Sequence, residues 1–212
     1  MLSHIDKSPD LFKKAFHDIK NPLANLVLLT EINNPKIEGA HSSLLYAINI
    51  ELWKVVATLE MFQVLSNYPS NGDVCKATRI DDCIDEAIGE IHNIDSNFRI
   101  DICLSDDIEA SQLIMPANSP SLTKLFYFLI RQLHLQDPIS RWYIFITYTS
   151  QKIELFFSKI NNLEFLTRTN KYVEVSDTDW QWIAAQKIAQ YHNFKIKVLY
   201  DNEQLACMKI TN

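Results

Sequence analysis

The segment Phe16–Leu23 carries the residues of this chain that are best suited to chemistry, because it joins His17 to an acid and an Asn-Pro-Leu sequence. An imidazole nitrogen can attack phosphorus and later act as a leaving group, since its pKa lies near neutrality. Helical geometry places residues three and four positions away beside His17, and these are Lys13, Lys14, Lys20 and Asn21. Between Lys13 and Lys20, three lysines less one aspartate give a local charge of +2. The spacing predicts a solvent-facing histidine suited to a phosphoryl group or a negatively charged partner.

The alternative for any single histidine on a helix is an ordinary surface residue without chemistry. His17 differs from the other histidines in its neighbours, because an acid follows it directly and Asn21-Pro22-Leu23 comes one turn later. We expect the remaining histidines to be surface or cap residues: His4, His41, His92, His134 and His192.

Two amphipathic helices are predicted to position His17. Ser8-Pro9-Asp10 is a typical helix start, and the first helix should run to about Asn33, before Asn34-Pro35. Its apolar residues recur every three or four positions, at Phe12, Phe16, Ile19, Leu23, Leu26 and Leu29. A second helix should begin near Ser42 or Ser43 and end before Tyr68-Pro69. It has a coiled-coil seam at Leu45, Ile48, Leu52, Val55, Leu59 and Phe62.

Two helices joined by a short turn cannot bury both apolar stripes alone. The pattern therefore predicts a helical hairpin, residues 1–68, that dimerises into a four-helix bundle. The alternative is a hairpin that lies on the C-terminal domain of the same chain.

The segment 69–78 contains turn formers without periodicity, so it is predicted to be a linker. Residues 79–212 then mix helices and strands, which places the chain in the α+β class with an α/β sandwich after the hairpin. Helices are predicted at Asp81–Ile94, Ser121–Leu135 and Thr178–His192, on one face of a sheet. Strands are predicted near Phe98–Leu104, Leu113–Met115, Trp142–Thr149, Lys152–Ser158, Lys195–Tyr200 and Gln204–Ile210, and Lys159–Ser176 as irregular.

The Phe16–Leu23 segment is similar to the phospho-acceptor box of bacterial sensor histidine kinases, and the later element order resembles their ATP-binding domain. The likeness spans nearly the whole chain, although only the His17 box matches at the level of a motif. The resemblance implies that His17 carries phosphate and that Asp18 hydrogen-bonds the other ring nitrogen. It also implies that Asn21 orients a water for removing phosphate from a partner aspartate.

The nucleotide-binding elements of that family are missing from the sequence. The family uses an asparagine for magnesium, an Asp-x-Gly-x-Gly turn for adenine and a glycine-rich lid, whereas this chain has no glycine after Gly89. Gln132 stands where the magnesium ligand belongs, and Phe128 replaces a second asparagine. The family's aspartate falls at Ser158 or Lys159, and the next helix opens with Asp179-Trp180-Gln181-Trp182. The sequence therefore predicts a protein with no nucleotide and no cofactor of its own.

Composition sets the remaining limits. A chain of 212 residues with 47% hydrophobic content can bury a sizeable core, and a net charge of −6 argues against a nucleic-acid partner. Cys75, Cys83, Cys103 and Cys207 form no C-x-x-C pair, so we expect reduced thiols. The sequence has no run of membrane-spanning length. We expect a cytoplasmic protein with no membrane partner.

Together with these observations, the resemblance implies a dimeric histidine phosphotransferase, or pseudo-histidine kinase, of two-component phosphorelay signalling. His17 would exchange phosphoryl groups with the aspartates of response-regulator receiver domains, and the receiver would supply magnesium. Lys13, Lys14 and Lys20 are the predicted partner-binding residues. Two alternatives remain: a non-catalytic scaffold that regulates a kinase or response regulator, and a divergent ATP-dependent histidine kinase or phosphatase.

Overall fold

A computed structural model describes residues 18–26, 47–48, 51–52, 55–56, 58–59, 75–106, 108–149, 151–175 and 180–212, with Trp180 and Gln181 described by their backbone. The chain divides into two compact units, residues 1–67 with 178–184 and residues 68–177 with 185–212. Residues 18–26 and the described residues between 47 and 59 are helical, in agreement with the predicted hairpin. The predicted helix ends, the four-helix bundle and the predicted domain boundaries remain predictions.

The C-terminal part of the chain alternates helices and strands in the predicted order. The helices are α1 (Ile80–Ile94), α2 (Ser119–Gln136), α3 (Leu163–Arg168) and α4 (Trp180–Tyr191), with a short 3₁₀ turn at Ala110–Leu113. The strands are β1 (Lys76–Arg79), β2 (Arg99–Leu104), β3 (Ile114–Ala117), β4 (Arg141–Thr149), β5 (Lys152–Ser158), β6 (Val173–Glu174), β7 (Lys195–Asp201) and β8 (Gln204–Thr211).

Six of these strands form a mixed sheet in the order β2-β4-β5-β8-β7-β6. β2 runs parallel to β4, and the other neighbours are antiparallel. β1 and β3 form a separate antiparallel pair, with Lys76 opposite Ala117 and Arg79 opposite Ile114. The α+β fold class predicted from the sequence is confirmed.

The main core lies between α2 and one face of the six-stranded sheet, here called the inner face. Phe126 of α2 meets Phe157 of β5 with ring centroids 6.2 Å apart, and both side chains are fully buried. Phe156 precedes Phe157 in the strand and therefore points to the opposite, outer face. The sheet thus carries aromatic side chains on both faces.

α1 packs against α2 through buried apolar residues and two polar contacts. Thr123 Oγ1 donates a hydrogen bond to Glu86 Oε2 at 2.9 Å, and His134 Nε2 donates to Asp95 Oδ2 at 3.1 Å. The expectation of surface or cap histidines is wrong for His134 and His192, which are buried. His192 Nε2 is hydrogen-bonded to Ser121 Oγ at 2.9 Å, so both rings satisfy polar groups inside the fold.

Two parts of the chain differ from the sequence prediction. Lys76–Thr78, at the end of the predicted linker, belongs to β1. The predicted irregular segment Lys159–Ser176 holds α3 and β6. Leu166 of α3 packs with Phe156 on the outer face, so helices are not confined to one face of the sheet as predicted.

Candidate functional site

The predicted phospho-acceptor helix is described from Asp18 onward. His17, Lys13 and Lys14 lie outside the described residues, so their predicted roles remain predictions. Residues 18–26 are helical without a break through Pro22, which is buried, and Asp18 is half-buried. Lys20 and Asn21 are exposed, as a partner-binding surface requires.

A hydrogen bond connects the two hairpin helices beside this exposed surface. Asn25 Nδ2 donates a hydrogen bond to Glu51 Oε2 at 3.5 Å. Asn25 lies one turn after Asn21, so helical spacing places these two residues on one face. Sequence reasoning missed this pair, although the four-residue spacing of His17, Asn21 and Asn25 was visible.

The second helix of the hairpin keeps part of its apolar surface exposed. Leu52 and Leu59 of the predicted seam are 46% and 54% exposed, and Val56 beside them is 39% exposed. Ile48 and Val55 of the same seam are half-buried. Leu52, Val56 and Leu59 follow one another at four- and three-residue steps, so they form one apolar stripe on the helix surface.

On α2, the positions that correspond to the family's magnesium ligands hold bulky side chains. Phe128 is 1% exposed and Gln132 is half-buried. Next to Gln132, Arg131 is 2% exposed and its Nη1 donates a hydrogen bond to the Tyr127 hydroxyl at 2.8 Å.

At the end of β5, the two positions that correspond to the family's adenine-binding aspartate form hydrogen bonds with other parts of the chain. Ser158 is fully buried, its hydroxyl donates to the Ala206 carbonyl at 3.3 Å, and it accepts from the Ile160 N–H at 2.9 Å. Lys159 Nζ donates to Asp137 Oδ2 at 2.7 Å and lies 5.0 Å from the centre of the Trp142 ring. The Lys159 bond is the main cause that lowers the pKa of Asp137 to about 2.

The segment that corresponds to the nucleotide lid forms residues 159–175, here called the strap. Its helix α3 buries Leu166 against Phe145 and Phe156 on the outer face of the sheet. The next helix, α4, begins at Trp180, and Trp182 in its first turn is half-buried. Asp179 lies outside the described residues. The strap therefore covers the outer face of the sheet.

Two further features are absent from the part of the chain that the structure describes. The described residues contain no group of three or more His, Cys, Asp or Glu side chains arranged to hold a metal ion. Within the same part of the chain, no helix has the length and apolar character needed to cross a membrane.

Known proteins were compared with the chain by sequence and by structure. No protein-family model and no curated sequence matches it. The structure is similar to the Acinetobacter baumannii histidine kinase AdeS, with a TM-score of 0.51 and 10% identity over 94% of this chain and 95% of the other. It is also similar to the histidine kinase ThkA, solved in complex with the response regulator protein TrrA, with a TM-score of 0.58 and 14% identity.

That match covers 96% of this chain and 60% of ThkA. A third structure, full-length ShkA in complex with AMPPNP, matches with a TM-score of 0.53 and 8% identity over 95% of this chain and 45% of ShkA. The chain thus spans less than two thirds of the latter two proteins. The element order, the mixed sheet and these matches agree, and the chain has a histidine-kinase-like fold.

Proposed function

We propose that this protein is a dimeric histidine phosphotransferase of two-component signalling, which passes phosphoryl groups between receiver-domain aspartates through His17 and does not bind ATP. The fold of the histidine kinases supports the signalling class. The phospho-acceptor box at Phe16–Leu23 supports the chemistry.

The observation that carries the proposal is the burial of the residues at the former nucleotide positions. Phe128 and Ser158 are both at most 1% exposed, and both hydrogen-bonding roles of the Ser158 hydroxyl are taken by backbone groups. Neither side chain offers a carboxylate or an amide to a nucleotide or its metal. These residues do not fit a magnesium nucleotide bound in the manner of the family.

The transfer uses the imidazole as nucleophile and then as leaving group. One neutral ring nitrogen of His17 attacks the phosphorus of a receiver aspartyl phosphate, the N–P bond forms, and the aspartate carboxylate leaves with the electrons of the broken O–P bond. The reverse step on another receiver regenerates the imidazole. Asp18 accepts a hydrogen bond from the other ring nitrogen, which fixes the tautomer. Magnesium bound by the receiver would supply neutralisation of charge on the phosphoryl oxygens.

The partner surface is the exposed face of the phospho-acceptor helix. Lys20 contributes positive charge and Asn21 can orient a water for hydrolysis, and both residues are exposed. In the sequence, Lys13 and Lys14 add positive charge on the N-terminal side of His17. The ThkA complex with a response regulator supports receiver domains as the class of partner.

Transfer of radioactive phosphate tests the proposal. Purified protein is incubated with labelled ATP alone, and separately with candidate receiver domains that carry labelled aspartyl phosphate. We expect acid-labile label on the wild-type protein from receivers and none from ATP. His17→Gln should abolish labelling, because it removes the nucleophile and keeps a polar side chain of similar size.

His41→Gln is the matched control, since it makes the same replacement in the chain region before the second predicted helix, and it should leave labelling unchanged. Label acquired from ATP would instead identify a divergent histidine kinase. Receivers that bind the protein but transfer no label would identify a scaffold. Asn21→Ala separates transfer from hydrolysis. If Asn21 contributes to phosphatase activity, this variant still accepts the phosphoryl group, but hydrolysis of the phosphate is slower.

A further inference from the structure

A groove of about 200 Å³ lies between the C-terminal half of α4 and the sheet edge formed by β6 and β7. Ala189, Phe194 and Ile196 line it and are at most 5% exposed, so they form an apolar floor. The remaining lining residues carry a charge or an amide: Glu174, Gln186, Gln190, Lys195 and Lys197. Pockets for drug-sized ligands measure about 300 to 1,000 Å³, so this groove suits a smaller molecule.

The unequal lengths of β6 and β7 explain where the groove lies. β6 pairs with β7 over two residues and ends with Glu174 opposite Lys197. β7 begins two residues earlier, at Lys195, so it extends past the end of β6. After Glu174 the chain turns toward α4, where the Val175 carbonyl accepts a hydrogen bond from Gln186 Nε2 at 3.2 Å. The groove runs along the extension of β7, beside this turn.

Three charged side chains are brought together by the strand pairing. Lys195 and Lys197 lie on one face of β7, with Cα atoms roughly 6 to 7 Å apart. Glu174 is the cross-strand partner of Lys197 and therefore lies on the same face. Within the described part of the chain, no ion pair joins these three groups to one another or to any other residue. Two ammonium groups and one carboxylate thus line a single groove.

We propose that this groove binds an acidic α-amino acid, with L-glutamate and L-aspartate as the two natural examples. Such a ligand carries two carboxylates and one ammonium group, which is the reverse of the charges in the groove. Its carboxylates would accept charge-assisted hydrogen bonds from Lys195 and Lys197, and its ammonium group would donate one to Glu174. The methylene carbons would contact the apolar floor. This inference goes beyond phosphotransfer at His17 and does not depend on it.

Isothermal titration calorimetry on the full-length protein tests the choice of ligand. We expect L-glutamate or L-aspartate to bind saturably, at one site per chain. Glutarate keeps both carboxylates and lacks the ammonium group, whereas L-glutamine keeps the ammonium group and lacks the second carboxylate. Each of these two compounds should bind about tenfold more weakly than L-glutamate, because each loses one hydrogen bond between charged groups.

Two variants of exposed groove residues test the location of the site. Lys195→Gln should weaken binding of L-glutamate and of glutarate by about tenfold each, because both ligands use the lysine. Glu174→Gln should weaken L-glutamate by about tenfold and leave glutarate unchanged, so that the two ligands then bind alike. Lys152→Gln is the matched control, because Lys152 is an exposed lysine at the start of β5 and does not line the groove. It should bind L-glutamate as the wild type does.

Three results would overturn the proposal. The first is the absence of saturable binding of both acidic amino acids to the wild-type protein. The second is binding of L-glutamate that is unchanged in both Lys195→Gln and Glu174→Gln, since the ligand would then bind elsewhere. The third is wild-type binding of glutarate as tight as that of L-glutamate, which would show that Glu174 does not recognise an ammonium group.

Discussion

At the scale of single residues, Ser158 and Lys159 at the end of β5 have structural roles. Ser158 uses its hydroxyl to join β5 to β8, and Lys159 joins the end of β5 to Asp137 after α2. Asp137 also accepts hydrogen bonds from the N–H and the hydroxyl of Ser140, at 3.0 and 2.7 Å. Asp137 therefore connects the α2–β4 turn to the end of β5.

The Asp137–Lys159 ion pair predicts a pH-dependent stability. The pKa of Asp137 is lowered from 3.8 to about 2, so its contribution is fully present above about pH 4 and is lost as the pH falls toward about 2. Asp137→Asn keeps the bond from the Ser140 N–H but loses the bond from Lys159. It should lower the free energy of unfolding by about 0.5 to 1 kcal/mol at pH 7, the range of partly exposed ion pairs.

Urea unfolding followed by circular dichroism at pH 7 and pH 3 measures the difference, which should shrink at the lower pH. Lys159→Met is the companion variant, because it removes the charge and keeps an apolar stem over the Trp142 ring. The two substitutions should be less than additive. A deficit of equal size at both pH values would show that the ion pair is not its cause.

At the scale of elements, the long segments with strong apolar periodicity were predicted, whereas the short segments were missed. The predicted helix at Ser121–Leu135 and strand at Lys152–Ser158 match α2 and β5 closely. β1 was missed because Thr78 is its one buried residue, so no apolar alternation marks it. α3 has six residues, too few for a helical period, although Asn162 as N-cap was a usable signal. Aromatic residues on both faces of β4 and β5 also indicated an outer cover.

The β7–β8 turn shows how a chain without glycine after Gly89 makes a tight turn. Asn202 and Glu203 both have positive φ, of 48° and 65°, where glycine is usual. Glu203→Gly should stabilise the protein by about 0.5 to 1 kcal/mol, because the relief of left-handed strain exceeds the extra entropy of the unfolded chain. The midpoint of urea unfolding measures this gain. Glu203→Ala removes the same side chain but keeps the strain, so an equal gain there would contradict the explanation.

At the scale of the whole molecule, the fold was predictable because the order of helices and strands can be read from apolar periodicity without any binding motif. The missing glycines and the replacements at Phe128 and Ser158 were visible in the sequence. The contacts of those side chains were not visible in the sequence, because contacts between α2, β5 and β8 depend on tertiary packing. The Asn25–Glu51 pair and the individual contacts of the strap with the outer face were unpredictable for the same reason. The roles of His17, Asp18 and Asn21 remain predictions.

Dimerisation through the second hairpin helix is the prediction that concerns the whole molecule. Leu52, Val56 and Leu59 are 46%, 39% and 54% exposed, and a second copy of the chain would cover this stripe. In a two-fold symmetric interface each substitution counts twice, so Leu59→Asp should cost about 2 to 4 kcal/mol of association free energy. Analytical ultracentrifugation at micromolar concentration should show a dimer for the wild type and a monomer for the variant.

Ile139→Asp is the matched control, because Ile139 is an 89% exposed apolar residue in the α2–β4 turn, and it should remain dimeric. A monomeric wild type would favour the alternative in which the hairpin lies on the C-terminal domain of its own chain.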